Sequence, residues 1–101
     1  MGDVVVIVGG IEVKAAKPLR ILQCSLTNEM GSEVVRVQKT ATFLRLDDRF
    51  SQIYLWYLVD PDEVAMVDRK FHKYGPNAIV TGGTYRGTAM LNGRILHVFE
   101  E

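Results

Sequence analysis

The fold is decided by residues 84–100, TYRGTAMLNGRILHVFE. Asn92-Gly93 supplies the positive φ angles of a type I′ turn, so the flanking residues are predicted to form an antiparallel hairpin with a two-residue loop. Such a loop sets the register of the whole hairpin. The expected cross-strand pairs are Leu91 with Arg94, Ala89 with Leu96, Gly87 with Val98, and Thr88 with His97.

The two faces of this hairpin differ in character, because successive strand residues point to opposite sides. One face is expected to contact the core and carries Tyr85, Gly87, Ala89, Leu91, Leu96 and Val98. The other face is mixed and carries Arg86, Thr88, Met90, Ile95, His97 and Phe99. A mixed face indicates either a second layer of structure or a binding surface.

The rest of the chain consists of short β-branched and aromatic segments between turn residues, without a helical period. Strands are predicted at residues 4–8, 11–14, 20–27, 33–38, 53–59 and 68–74, with a short strand or irregular crossing at 43–46. Residues 63–67 are compatible with one helical turn. We therefore expect a single mostly β domain over residues 1–101, a small antiparallel barrel or sandwich of about six strands. Residues 1–19 form an extra N-terminal hairpin around Gly9-Gly10 in this prediction.

Two of the predicted strands have distinctive patterns. Residues 53–59, IYLWYLV, are all apolar or aromatic, which predicts a central strand covered on both faces, with Trp56 and Tyr57 in the core. Residues 68–74, DRKFHKY, alternate so that Asp68 and His72 share one face while Arg69 and Phe71 share the other. Long charged side chains are typical of strands that end a sheet, so this strand is predicted at an edge or a rim.

Composition excludes several classes of protein. Twelve basic and twelve acidic residues give no net charge, so no long-range field favours nucleic acid as the main partner. Cys24 is the single cysteine, which rules out an intrachain disulfide and fits a reducing compartment. Asp3 and the apolar run of only five residues at 4–8 indicate neither an export signal nor a membrane span.

One concentration of cationic and hydrogen-bonding groups is a candidate ligand site. Its predicted members are Arg69, His72, Lys73, Tyr74, Asn77, Thr81 and Arg86, with the glycines at 82–83 offering backbone N–H groups. This pattern favours a phosphorylated or otherwise anionic ligand; the alternative is an edge strand protected from aggregation by its charges. No metal, cofactor or catalytic set is predicted, because His72 and His97 are the only histidines and no nucleophile, base and orienting group coincide.

Five short fragments follow one another along the chain: L-x-x-x-L at 22–26, L-W-x-L-V-D-P at 55–61, F-x-x-Y-G at 71–75, Y-x-G-T at 85–88 and H-V-F-E at 97–100. In this order they resemble a family of small uncharacterised proteins of phage and prophage genomes. The resemblance implies expression in the cytoplasm of a bacterial host, and it brings no activity with it. Where that family has a T-G-H run after Y-G, this chain has Pro76-Asn77.

Two functions follow as hypotheses. The first is a non-enzymatic binding protein of phage type that contacts, and could disable, a host protein. The second is a protein that sequesters a small anionic ligand such as a nucleotide signal. A small enzyme is a third and weaker reading. Because the strand at 4–8 is long and apolar for so small a domain, we also expect a homo-oligomer.

Overall fold

The computed structural model describes residues 4–8, 10–15 and 17–101 of the chain. Its strands are β1 Val4–Val8, β2 Ile11–Ala15, β3 Arg20–Leu26, β4 Gly31–Gln38, β5 Thr42–Arg49, β6 Gln52–Val59, β7 Met66–Tyr74, β8 Thr84–Leu91 and β9 Arg94–Glu100. The predicted N-terminal hairpin is present as the β1–β2 pair, with Val8 opposite Ile11. Gly9, half of its predicted turn, and Asp3 lie outside the described residues.

Strands β3 to β9 form two antiparallel sheets that pack as a sandwich. The three-stranded sheet has the order β3-β6-β5, and the four-stranded sheet has the order β4-β7-β9-β8. β5 lies beside β8, where the backbone N–H of Met90 donates to the Asp48 carboxylate. The predicted mostly β sandwich is therefore confirmed. β6 is the central strand of its sheet, as its apolar run predicts.

The core lies between the two sheets and uses one face of each strand from β3 to β9. Its fully buried members are Leu26, Val37, Ile53, Leu55, Tyr57, Phe71, Ala89 and Val98. Leu22 and Cys24 pack against them from β3, and burial raises the pKa of the Cys24 thiol. The inward residues of β6 are thus spaced by two, as a pleated strand requires.

Four predictions about individual elements need correction. Residues 63–67 form no helical turn, because Glu63 N bonds Asp60 O in a tight turn and β7 begins at Met66. The predicted edge strand, β7, lies between β4 and β9 over its second half. The weak segment at 43–46 belongs to a full strand of eight residues. Trp56 is half-buried on the outer face of β6, since only the odd-numbered positions there point inward.

The β8–β9 hairpin has all four predicted cross-strand pairs, including Thr88 with His97. A β-bulge between Tyr85 and Gly87 then reverses the expected orientation of two residues. The extra residue turns Tyr85 to the outer face, where it is 55% exposed, and directs Arg86 inward. Gly87 takes φ +148 at the bulge, and a Cβ there would lie 3.0 Å from the Leu46 Cβ.

Two hairpin tips meet at one end of the sandwich. Phe50-Ser51 joins β5 to β6 with φ angles of 51° and 60°, and Asn92-Gly93 joins β8 to β9 with 51° and 78°. The Ser51 hydroxyl donates to Asn92 Oδ1 over 2.8 Å. No helix long and apolar enough to cross a membrane occurs in the part of the chain that the structure describes.

Candidate functional site

The predicted ligand residues of β7 point to both sides of the sheet. Arg69 and Lys73 face inward with Phe71, whereas His72 and Tyr74 lie on the outer face. A pleated strand cannot bring neighbouring residues to the same side, so the seven predicted residues do not form one pocket. They fall into an interior ion-pair cluster, a buried lysine contact and an outer surface.

The interior cluster joins Arg69, Arg86 and Glu100. Arg86 donates from Nε and Nη2 to Glu100 Oε1 at 2.9 and 2.8 Å. Arg69 Nη1 lies 3.7 Å from Glu100 Oε2, and its Nη2 donates to the Ala41 carbonyl over 2.6 Å. Both predicted cations are thereby engaged inside the protein, which leaves them little capacity to bind a ligand on the surface.

Aromatic rings cover this cluster from the opposite sheet. The Arg86 guanidinium carbon lies 4.6 Å from the Phe43 ring centre, and that of Arg69 lies 5.2 Å from the Tyr57 ring centre. Burial, with the nearby Glu100 charge, raises the pKa of Tyr57 to about 12. The Tyr57 hydroxyl has no hydrogen-bond partner among the described residues. The Tyr57 phenol therefore stays neutral, and the side chain is part of the core and not a group that transfers protons.

Lys73 connects the loop after β3 to the four-stranded sheet by hydrogen bonds and an ion pair. Its side chain is 2% exposed, and its ammonium donates to Glu33 Oε1 and to the carbonyl and hydroxyl oxygens of Thr27, over 2.8 to 3.0 Å. Burial alone would raise the pKa of Glu33. The hydrogen bonds from Thr27 and Lys73 outweigh it and lower that pKa. All three donors of this ammonium are used, so Lys73 is a structural residue.

Asn77 and Thr81 belong to the long connection from β7 to β8. Asn77 is exposed in a turn with φ 64°. Thr81, with Gly82 and Gly83, borders a depression of about 370 Å³ whose other walls are His72, Tyr74 and Glu101. Of the predicted set, His72, Tyr74 and Thr81 are thus brought together on the outer surface.

That depression continues into a row of rings on the outer face of β7, β9 and β8. The His72 and Tyr74 rings stack with centres 6.1 Å apart, and Tyr74 meets Phe99 edge to face at 5.7 Å. Phe99 in turn packs against Tyr85 at 5.3 Å. Met90 and Ile95, both exposed, extend the apolar area toward the hairpin tip. We call these six residues the aromatic face.

Hydrogen bonds at the margin hold the imidazoles in place. His72 Nε2 lies 2.9 Å from Glu101 Oε2, and that contact, aided by Lys70, lowers the pKa of the Glu101 carboxyl. His97 Nδ1 lies 2.9 Å from the Thr88 hydroxyl, which also bonds the Tyr85 hydroxyl. The face thus combines planar rings with fixed polar groups along one edge.

This face consists mainly of aromatic and apolar side chains, with polar groups at its margin. Tyr, Phe and Met are enriched where proteins contact one another, and charged groups lie at the rim of such surfaces. Within the described residues no three His, Cys, Asp or Glu side chains gather as metal ligands would. Glu101 beside His72 also makes the depression a poor site for an anion.

Sequence reasoning found this face only in part. It identified Met90, Ile95 and Phe99 on the mixed face of the last hairpin, but it separated them from His72 and Tyr74. The link is the long-range pairing of His72 with Phe99 and of Tyr74 with His97, which no local pattern encodes. Simple alternation of residues along β8 predicts that Tyr85 faces the core. This prediction is wrong because the sequence pattern does not show the bulge beside Tyr85.

Comparison with known proteins yields one family. The family model described as Domain of unknown function (DUF7352) matches residues 18–101, which covers strands β3 to β9 and leaves out the β1–β2 hairpin. No match to the chain was found among the curated proteins or among the solved structures.

Proposed function

The chain belongs to the DUF7352 family, and on that premise we propose that it is a non-enzymatic binding protein whose aromatic face holds a protein partner. The observation that carries the proposal is the uninterrupted contact from Tyr74 through Phe99 to Tyr85 on an outer sheet surface. Aromatic side chains that lie outside the core of their own domain are typical anchors of protein interfaces.

The shape of the face supports a protein partner. Three strands present the rings on one surface, and the side chains of Met90 and Tyr85 are more than half exposed. Exposed apolar patches of this kind on a small protein mark interaction sites. The resemblance to phage and prophage proteins makes a bacterial cytoplasmic protein the partner to seek, one that the phage protein would occupy or disable.

The anionic-ligand alternative has less support at the predicted residues. Arg69 and Arg86 share the Glu100 carboxylate, and Lys73 is buried with Glu33. An anion bound there would have to displace these internal partners. We therefore do not assign a ligand to that set.

The test compares affinity capture from bacterial lysate by three forms of the protein. Tyr85→Asp places a charge at the most exposed ring of the aromatic face, and Val34→Asp places one on the exposed outer side of β4, in the same sheet. A protein recovered with the parent chain and with Val34→Asp, and lost with Tyr85→Asp, supports the proposal. A specific protein that Tyr85→Asp retains contradicts it, provided circular dichroism shows equal folding of all three.

A second copy of the chain is the alternative occupant, in keeping with the homo-oligomer expected from the sequence. Sedimentation velocity across a concentration series distinguishes it from a foreign partner. If the chain forms a dimer that Tyr85→Asp dissociates and Val34→Asp preserves, the aromatic face is the dimer interface. That result would contradict the proposal that a host protein binds there.

A further inference from the structure

A second concave surface lies on the outer side of the three-stranded sheet. It is a groove of about 510 Å³ lined by Ile21, Leu44, Arg45, Asp47, Arg49 and Trp56. This volume lies within the range of small-molecule sites, roughly 300 to 1,000 Å³. The outer side of one sheet and that of the other face away from each other in a sandwich, so this groove is separate from the aromatic face.

A bulge in β5 builds the groove. Phe43 pairs with Tyr57 on the inner side, and the next pair along β6 is Arg45 with Trp56, so Leu44 is the additional residue. Without it, Arg45 would point into the core, because strand residues alternate. With it, Leu44 and Arg45 both line the groove next to the indole.

The charges of the groove do not cancel. Arg49 Nε donates to Asp47 Oδ2 over 2.8 Å, so these two groups neutralise each other. Within the described residues no carboxylate lies within salt-bridge distance of the Arg45 guanidinium. The Arg45 guanidinium also helps to lower the pKa of the Asp47 carboxyl, so it acts on that carboxylate from beyond salt-bridge distance. With two arginines and one aspartate, the groove presents a single net positive charge beside an indole and two aliphatic side chains.

We propose that this groove binds a planar aromatic anion of mononucleotide size, with Trp56 against its ring and Arg45 on its anionic group. Indole surfaces hold planar rings by stacking and by burial of apolar area. A guanidinium offers two parallel N–H donors to a phosphate or carboxylate. Ile21 and Leu44 flank the ring and exclude water from its edges.

The single net positive charge of the groove also limits the size of the ligand. Nucleic-acid strands and strongly acidic peptides are held by many cations in a row, and the chain as a whole has no net charge. Arg45 matches one anionic group, as in a nucleoside monophosphate. The proposal does not depend on the function proposed for the aromatic face.

The experiment uses Trp56 as its own reporter, because it is the only tryptophan in the chain. AMP, GMP, CMP and UMP are titrated separately while the tryptophan emission is recorded, with the four corresponding nucleosides and inorganic phosphate as partial probes. We expect saturable quenching by at least one nucleotide. The matching nucleoside and inorganic phosphate should each bind at least about tenfold more weakly, because each lacks one of the two contacts.

Three variants make the result specific. Arg45→Ala is expected to lower the affinity for the nucleotide at least about tenfold. Arg45→Lys should recover only part of that affinity, because lysine lacks the two parallel N–H donors of a guanidinium. Arg36→Ala is the matched control: Arg36 is an exposed arginine of β4, 3.8 Å from Asp68, and should leave the affinity unchanged. Tyr85→Asp should also leave it unchanged, which separates this site from the aromatic face.

Other outcomes would overturn the proposal. They are the absence of saturable quenching with all four nucleotides, equal affinity of the parent protein and Arg45→Ala, or equal affinity for the nucleotide and inorganic phosphate. Heat denaturation monitored by circular dichroism confirms that each variant is folded before it is titrated.

Discussion

The Glu100 carboxylate accepts hydrogen bonds from the Arg86 guanidinium, with Oε1 2.9 Å from Nε and 2.8 Å from Nη2. Arg69 approaches the other oxygen of that carboxylate, so one acidic side chain of β9 holds a cation from each neighbouring strand. These contacts hold the charges of Arg69 and Arg86 between the two sheets.

Glu100→Gln should lower the free energy of unfolding by about 1–3 kcal/mol, because it leaves two half-buried guanidinium groups without their counter-charge. Urea denaturation followed by circular dichroism measures the change. Glu29→Gln, in the exposed loop after β3, is the matched control and should unfold at the parent midpoint. Equal midpoints for the two variants would show that the cluster does not stabilise the fold.

Protonation of Glu33 should destabilise the protein in acid. The pKa of Glu33 is lowered in the folded state, so its contribution to stability is present above its ordinary pKa of about 4.5 and is lost as the pH falls through the folded value. Urea midpoints measured between pH 7 and about 3 should therefore decrease less in Glu33→Gln than in the parent chain. The parent should be the more stable of the two at pH 7. Parallel curves would contradict the Lys73–Glu33 contact.

Phe50→Asn should stabilise the protein by about 1 kcal/mol. Phe50 has φ 51° and is 94% exposed, so it adopts a left-handed backbone without compensating packing, whereas asparagine is favoured at this position of a type I′ turn. The melting temperature is the measurement. Phe50→Leu, which keeps a bulky apolar residue in the same backbone conformation, is the control. An Asn variant no more stable than the Leu variant would show that the turn is not strained.

Gly87→Ala should destabilise the sandwich by about 1–3 kcal/mol, because a steric contact and backbone strain add together. The new Cβ would lie 3.0 Å from the Leu46 Cβ, and the residue would keep φ +148. Because Leu46→Ala retains that Cβ, the Gly87→Ala/Leu46→Ala double variant should be no more stable than either single variant. Urea midpoints of all four proteins measure the changes, and a double variant as stable as the parent would contradict both the contact and the strain.

Most strands and the last hairpin could be predicted because their signals are local. Asn92-Gly93 determines a two-residue turn, and the turn determines the pairing of Thr88 with His97 in advance of any tertiary contact. The apolar run around Leu55 likewise predicts the central position of β6 in its sheet, although its outer face is only half-buried. The predicted orientation of side chains was wrong where a β-bulge interrupts the alternation of a strand, as at Leu44 and Arg86.

The candidate sites depended more strongly on tertiary structure. Composition located the cationic segment, but the pleat of β7 and the bulge in β8 turn Arg69 and Arg86 to the interior, where Glu100 pairs with both. Trp56 belongs to an apolar run, and the run alone did not distinguish its inner residues from its outer ones. Which outer residues became a groove depended on the bulge in β5.

The sequence by itself determined the β class, the turn at Asn92-Gly93 and the alternation of faces, because backbone angles and pleating act between near neighbours. The tertiary structure alone decided which cations lie inside and which rings lie together outside. Strand order sets those relations, and it results from packing two sheets around one core. The numbers of acidic and basic residues are equal, but only the tertiary structure decides where the charges pair. Several pair in the interior, and the groove around Arg45 keeps a single net positive charge.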